Sequence, residues 1–175
     1  MSDEHLTLSA DEAWSVLASS LEPLPPPADA RDRLLAAIAR AAPYRQFLSG
    51  FAAAFDLTER GVHELLSRMH DPRAWASGVG GVIAFLDFEG GPRLGGAHCG
   101  VARMRHGASV PRHRHKSREI TFVLRGGLAD GDGHTYRAGH IIDAPTGSAH
   151  SLRVIGEPDA LMAILLAEVE IDGPA

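Results

Sequence analysis

Pro111-Arg-His113-Arg-His115-Lys-Ser-Arg-Glu119-Ile-Thr-Phe-Val-Leu-Arg125 is the stretch from which the fold can be read. In extended chain, residues two apart point the same way. His113 and His115 therefore share a face, and Glu119, Thr121 and Val123 carry the same parity onward. Arg112, Arg114 and Lys116 take the opposite side, where Ile120, Phe122 and Leu124 then form a row that something apolar must cover. Both faces are partly buried, as expected for a barrel wall inside a larger assembly. Two imidazoles and a carboxylate within such a wall are costly unless they are paired or ligate a cation. Nitrogen donors with one carboxylate oxygen suit Fe(II), Mn(II), Ni(II), Cu(II) or Zn(II).

Downstream, Gly139-His-Ile-Ile-Asp-Ala-Pro145-Thr-Gly147-Ser-Ala-His150 supplies the fourth candidate donor. Pro145-Thr-Gly147 is a tight turn that delivers His150 at the start of a strand. Short alternating or β-branched segments between glycines predict strands at 79–87, 97–104, 118–125, 134–137, 140–144, 150–155 and 160–170. Strands this short and closely spaced indicate an antiparallel sandwich or barrel. Before residue 78 the texture is helical instead. Ser9-Ala-Asp-Glu12 has capping-box form, with Trp14, Leu17 and Leu21 at helical spacing behind it. Pro23 stops that helix, and a proline-rich spacer at 23–28 follows. Leu34, Leu35 and Ile38 mark a second helix, Phe47, Phe51 and Phe55 a third, and Val62, Leu65, Leu66 and Met69 a fourth that Thr58 caps. The expected organisation is a helical region over 1–78 and a β domain over 79–175.

Composition narrows the function classes. The 175 residues carry 17 Lys+Arg against 22 Asp+Glu, a net charge of −5. A generally basic nucleic-acid binder is thereby disfavoured, and the arginines of the 103–118 stretch have no interleaved aromatics. The single cysteine, Cys99, excludes an intrachain disulfide and a cysteine-rich zinc site; it reads as a core residue. No signal-peptide pattern opens the chain, and the longest apolar runs are too short to span a bilayer, so a cytoplasmic protein is expected.

The two histidine segments together resemble the cupin superfamily. The first reads Gly107-x5-His113-x-His115-x3-Glu119-x6-Gly126 and the second Gly139-x5-Pro145-x-Gly147-x2-His150. The resemblance implies a mainly β fold: a single cupin barrel, double-stranded β-helix or jelly-roll-like, behind an N-terminal helical region. It also implies that His113, His115, Glu119 and His150 bind one divalent metal, zinc in the first place and otherwise iron, manganese or nickel. Met104, Thr121, Val123, Leu152 and Arg103 are candidate pocket-lining residues.

More narrowly, 111–119, 144–150 and the stretch Leu24 to Ile38 are similar to ChrR-type anti-sigma factors. Those factors hold zinc in their sigma-binding domain through a histidine followed by a Cys-x-x-Cys pair, which this sequence lacks. The likeness therefore implies the sensing cupin without the zinc-binding anti-sigma domain. Three functions follow as expectations. The first is a metal-binding regulatory or stress-sensing module that responds to a small molecule or oxidant. The second is a small metal-dependent enzyme, foremost a mononuclear dioxygenase, and the third a structural cupin stabilised by its metal. A homodimer, a protein partner reached through the N-terminal helices and a small-molecule ligand in the barrel are the expected associations.

Overall fold

A computed structural model describes residues 9–22, 24–78, 81–95, 97–165 and 168–171. The chain divides into two compact units, residues 1–36 and 37–175. In the first, α1 (Ala10–Ser20) begins at the expected capping box: the Glu12 amide donates to Ser9 Oγ at 3.3 Å, and the Ser9 amide donates back to the Glu12 carboxylate at 2.8 Å. Trp14, Leu17 and Leu21 lie exposed along it. A second helix, α2, spans Ala30–Ala41.

The second unit holds α3 (Leu48–Phe55), α4 (Glu59–Met69) and eleven strands among the described residues. These are β1 (Ala76–Ser77), β2 (Ile83–Glu89), β3 (His98–Met104), β4 (Ser109–His115), β5 (Glu119–Arg125), β6 (Gly127–Asp130), β7 (Thr135–Arg137), β8 (Ile141–Ala144), β9 (Ala149–Val154), β10 (Ala160–Leu165) and β11 (Val169–Ile171). They build two antiparallel sheets, ordered β1-β2-β3-β10-β5-β8 and β11-β4-β9-β6-β7. The mainly β jelly-roll expectation holds, with one difference. No ring of hydrogen bonds closes the described strands into a barrel; the sheets pack face to face as a sandwich. Val169–Ile171 pairs with β4 rather than prolonging β10, so the single strand expected over 160–170 is two strands in different sheets.

The row of β5 that needed an apolar cover receives it from the helices. Phe122 and Leu124 join Leu86, Phe88, Val101 and Leu161 in a core with Phe51 and Phe55 of α3 and Val62, Leu65, Leu66 and Met69 of α4. The Phe51 ring centroid lies 5.2 Å from Phe55 and 5.8 Å from Phe122, tilted as aromatic quadrupoles prefer. Each such buried phenyl contributes about 1.5–3 kcal/mol. The other face of the same sheet meets the second sheet: Ala102, Met104, Val123 and Met162 pack on Leu128, Leu152 and Val154. The order is helices, large sheet, small sheet.

Candidate metal centre

The His-x-His segment is a strand, β4, although its proline and arginines disguise it. Between β4 and β9 the register runs Val110↔Leu152 and then His113↔His150. One extra residue is thus accommodated on β4, a β-bulge at Pro111–Arg112. A bulge suits a proline, which cannot donate to a ladder. It also resets the alternation of side chains. Val110 packs with the inter-sheet core, and His113 and His115 are buried too, which strict alternation from Val110 forbids.

His113 and His150 therefore face each other across the ladder, and His115 stands two residues further along β4. Ring centroids are separated by 4.8 Å for His113–His115, 4.7 Å for His113–His150 and 4.8 Å for His115–His150. One nitrogen from each ring lies within 4.8 Å of the other two, which is the spacing at which three imidazoles can hold one ion. The Pro145-Thr-Gly147 turn is fastened to the same strand. The His115 amide donates to Ser148 O at 2.9 Å, Gly147 N donates to His115 O at 2.7 Å, and the Arg114 guanidinium donates to Gly147 O at 2.7 Å.

The hydrogen bonds around the rings favour ligation. His113 Nδ1 lies 2.9 Å from Pro111 O, which can only accept, so Nδ1 donates there and Nε2 is the ring nitrogen left for the cluster. His115 Nε2 faces His150 Nε2 at 3.3 Å, while the buried His115 Nδ1 has no hydrogen-bond partner. Burial, with His113 and His115 beside it, pushes the His150 imidazole down to about 4. Burial lowers His115 as well, His113 adding to it. Both are neutral at physiological pH, the form that binds metal.

Glu119, at the start of β5, sits behind this triangle. Its Oε2 is 3.6 Å from His115 Nδ1, and its Oε1 accepts from Thr121 Oγ1 at 3.1 Å. Burial raises its carboxyl above the ordinary range, and the Thr121 hydroxyl partly opposes that. Met104, Val123 and Leu152 lie buried in the inter-sheet core. Arg103 does not face that side. It alternates with Met104 along β3, so its guanidinium lies on the helix side, 4.8 Å from the Trp75 ring centroid.

A second group, Asp130, Asp132 and His134, also brings ligand atoms within 4.8 Å of one another. Their hydrogen bonds are those of a tight turn. Asp130 accepts from the Asp132 and His134 amides at 3.0 and 2.8 Å, and from the Tyr136 hydroxyl at 3.0 Å. Tyr136 is thereby tied to the β6–β7 hairpin. Cys99 is fully buried in the helix-side core.

A family model described as the ChrR cupin-like domain matches residues 72–170. The chain belongs to that family. The fold of this cupin is similar to that in the crystal structure of Rhodobacter sphaeroides SigE in complex with the anti-sigma ChrR. The match has a TM-score of 0.51 at 18% identity and covers 88% of this chain and 74% of that one. The cupin is also 27% identical, over 101 residues, to a 5-nitrosalicylic acid 1,2-dioxygenase from a Bradyrhizobium species. That match covers 56% of this chain and 49% of the relative, so the chain spans about half the length of the curated relative it matches.

Proposed function

We propose that this cupin binds one divalent metal through His113, His115, His150 and Glu119 and works as a cytoplasmic regulatory or stress-sensing module. The observation that carries the reading is the triangle of imidazoles, each ring 4.7–4.8 Å from the next. Three imidazoles crowded together satisfy one another poorly, whereas a shared cation satisfies all three. Glu119 fits as the fourth donor because it is a buried carboxylate next to His115, and an anion there balances part of the metal's charge. Zinc is the metal of the sensing reading; iron, manganese and nickel accept the same donors.

Family membership supports a regulatory role, since a solved complex of similar fold pairs an anti-sigma factor with its sigma factor. The exposed apolar residues Trp14 and Leu17 of α1, with Leu21 just after it, are the surface through which a protein partner would be engaged. The chain would act as a homodimer and take a small molecule or oxidant at the metal.

A second reading, a mononuclear dioxygenase, is favoured by the likeness to 5-nitrosalicylic acid 1,2-dioxygenase. When bound, Fe(II) would supply oxygen chemistry. The histidines of this chain would hold the metal, and the apolar residues beside them would keep water from the site.

Elemental analysis by plasma mass spectrometry, on protein purified anaerobically without a metal-affinity column, tests both. Near one zinc per chain supports sensing, and near one iron or manganese supports the oxygenase. Protein that takes up no divalent metal sinks the two together.

A further inference from the structure

The helix-facing side of the large sheet holds a second group of polar side chains, unrelated to the histidines. Leu161 of β10 pairs with Arg103 of β3 on one side and with Arg125 of β5 on the other. Arg103, Leu161 and Arg125 thus form one row across three strands, spanning about 10 Å at the usual strand spacing. Alternation along β5 from Val123, which faces the other sheet, would send Arg125 to that side too. The register prevents this, because Met162 pairs with Val123 and Leu161 with Arg125, a bulge that absorbs one residue of β5. Its effect is to turn Arg125 toward the helices.

The two arginines border a cavity of about 260 Å³ whose other walls include Tyr44, Met69, Trp75 and Leu161. Trp75 is held in place by its indole N–H, which donates to Met69 O at 3.1 Å, and it offers its ring face beneath the Arg103 guanidinium. No carboxylate lines this cavity among the described residues. Arg125 also borders a shallower hollow with Glu157 and Asp159, but it forms no ion pair with either, and its buried Nε has no hydrogen-bond partner. A guanidinium with an unpaired buried N–H, turned by a bulge into an aromatic-walled cavity beside a second cation, is half of a recognition site.

We propose that this cavity binds a small organic acid, its carboxylate between Arg103 and Arg125 and its apolar body against Trp75, Met69 and Leu161. The volume limits the ligand to a molecule smaller than a typical drug. The site lies on the opposite face of the large sheet from the histidine cluster and does not depend on metal.

Benzoate is the probe. It is titrated into the full chain carrying Trp14→Phe, so that Trp75 is the only tryptophan, after treatment with chelator to empty the histidine cluster. Saturable change in Trp75 fluorescence and a matching calorimetric isotherm are expected, with no response to benzyl alcohol, the uncharged analogue. Arg125→Gln and Arg103→Gln should each weaken benzoate binding at least about tenfold, the loss expected for one charge-assisted contact. Arg103 is exposed, so its variant keeps the test valid if Arg125→Gln fails to fold. The proposal is overturned if benzoate gives no saturable signal, if benzyl alcohol or inorganic phosphate reproduces it, or if Arg103→Gln binds as tightly as the parent.

Discussion

His113 of β4 and His150 of β9 are direct cross-strand partners, with ring centroids 4.7 Å apart. They reach that pairing because the bulge at Pro111–Arg112 shifts the register between Val110 and His113. The donors are thus held by two hydrogen-bonded strands rather than by a loop, which fixes their separation before any ion arrives.

Removal of either partner should therefore abolish tight metal binding while leaving the fold in place. His113→Ala and His150→Ala are expected to weaken metal affinity at least about 100-fold, since even the loss of an outer hydrogen-bond partner costs 10–100-fold. Competition with a chromogenic chelator measures the affinity and circular dichroism the fold. Full affinity in either variant would show that the ion sits elsewhere.

Glu119 separates two roles. As a ligand, its replacement in Glu119→Gln should lower metal affinity about as much as loss of a histidine. As a group that merely orients His115, it should cost nearer tenfold. Thr121→Val, which removes the 3.1 Å hydrogen bond to the carboxylate, serves as the comparison and is expected to have the smaller effect.

The metal-free chain should lose stability as the solution is acidified. His150 stays unprotonated in the folded state down to about 4, against 6.5 for the ordinary imidazole, so the unfolded chain takes up that proton first. Its contribution is fully present above about pH 6.5 and drains away as the pH falls toward 4. Glu119, whose carboxyl is raised by burial, acts in the opposite sense: its contribution is present at low pH and lost as pH rises. Thermal melts of chelated protein from pH 7 to pH 4 should show a falling midpoint, and His150→Gln should flatten the fall. An unchanged slope would remove His150 as its source.

Helix packing can be tested apart from the metal. Phe55 is fully buried, 5.5 Å from Phe88 and 5.2 Å from Phe51 between ring centroids. Phe55→Ala should cost about 3–5 kcal/mol in urea denaturation.

Gly91 lies hard against the end of α3. Its amide donates to Phe55 O at 2.9 Å, and a Cβ there would collide with the Asp56 carbonyl oxygen. Asp56 also receives the Arg93 amide at 2.8 Å and its guanidinium Nε at 2.6 Å, which pins the end of α3 to the segment after β2. Gly91→Ala should therefore destabilise by about 1–3 kcal/mol or more, the usual cost of overpacking. A midpoint within error of the parent would show that this segment can move aside.

The histidine motifs and the helix caps were legible in the sequence because their signals are local: spacing for the donors, a Ser9–Glu12 box and Thr58 for the helices. Phe122 and Leu124 announced that their face of β5 needed a cover, though not which helices would supply it. Signals that depend on register stayed hidden. β4 was not among the expected strands because Pro111 and two arginines mask its period, and β6, which opens at Gly127, was not among them either. The bulges at Pro111–Arg112 and at Arg125 leave no mark in composition, so side-chain direction beyond them could not be counted. Arg103 neighbours Met104, and neighbours on a strand point to opposite faces, so the two lie on opposite sides of the large sheet.

One strand carries both a candidate donor and the grip of the helices. On β5, Glu119, Thr121 and Val123 look toward the small sheet, while Phe122 and Leu124 lie under α3 and α4. An ion that displaced this strand would move Phe122 together with Thr121. Thermodynamic reciprocity would then apply: a partner that drew α3 away from Phe122 would change the affinity for metal by the same factor by which metal changed the affinity for that partner.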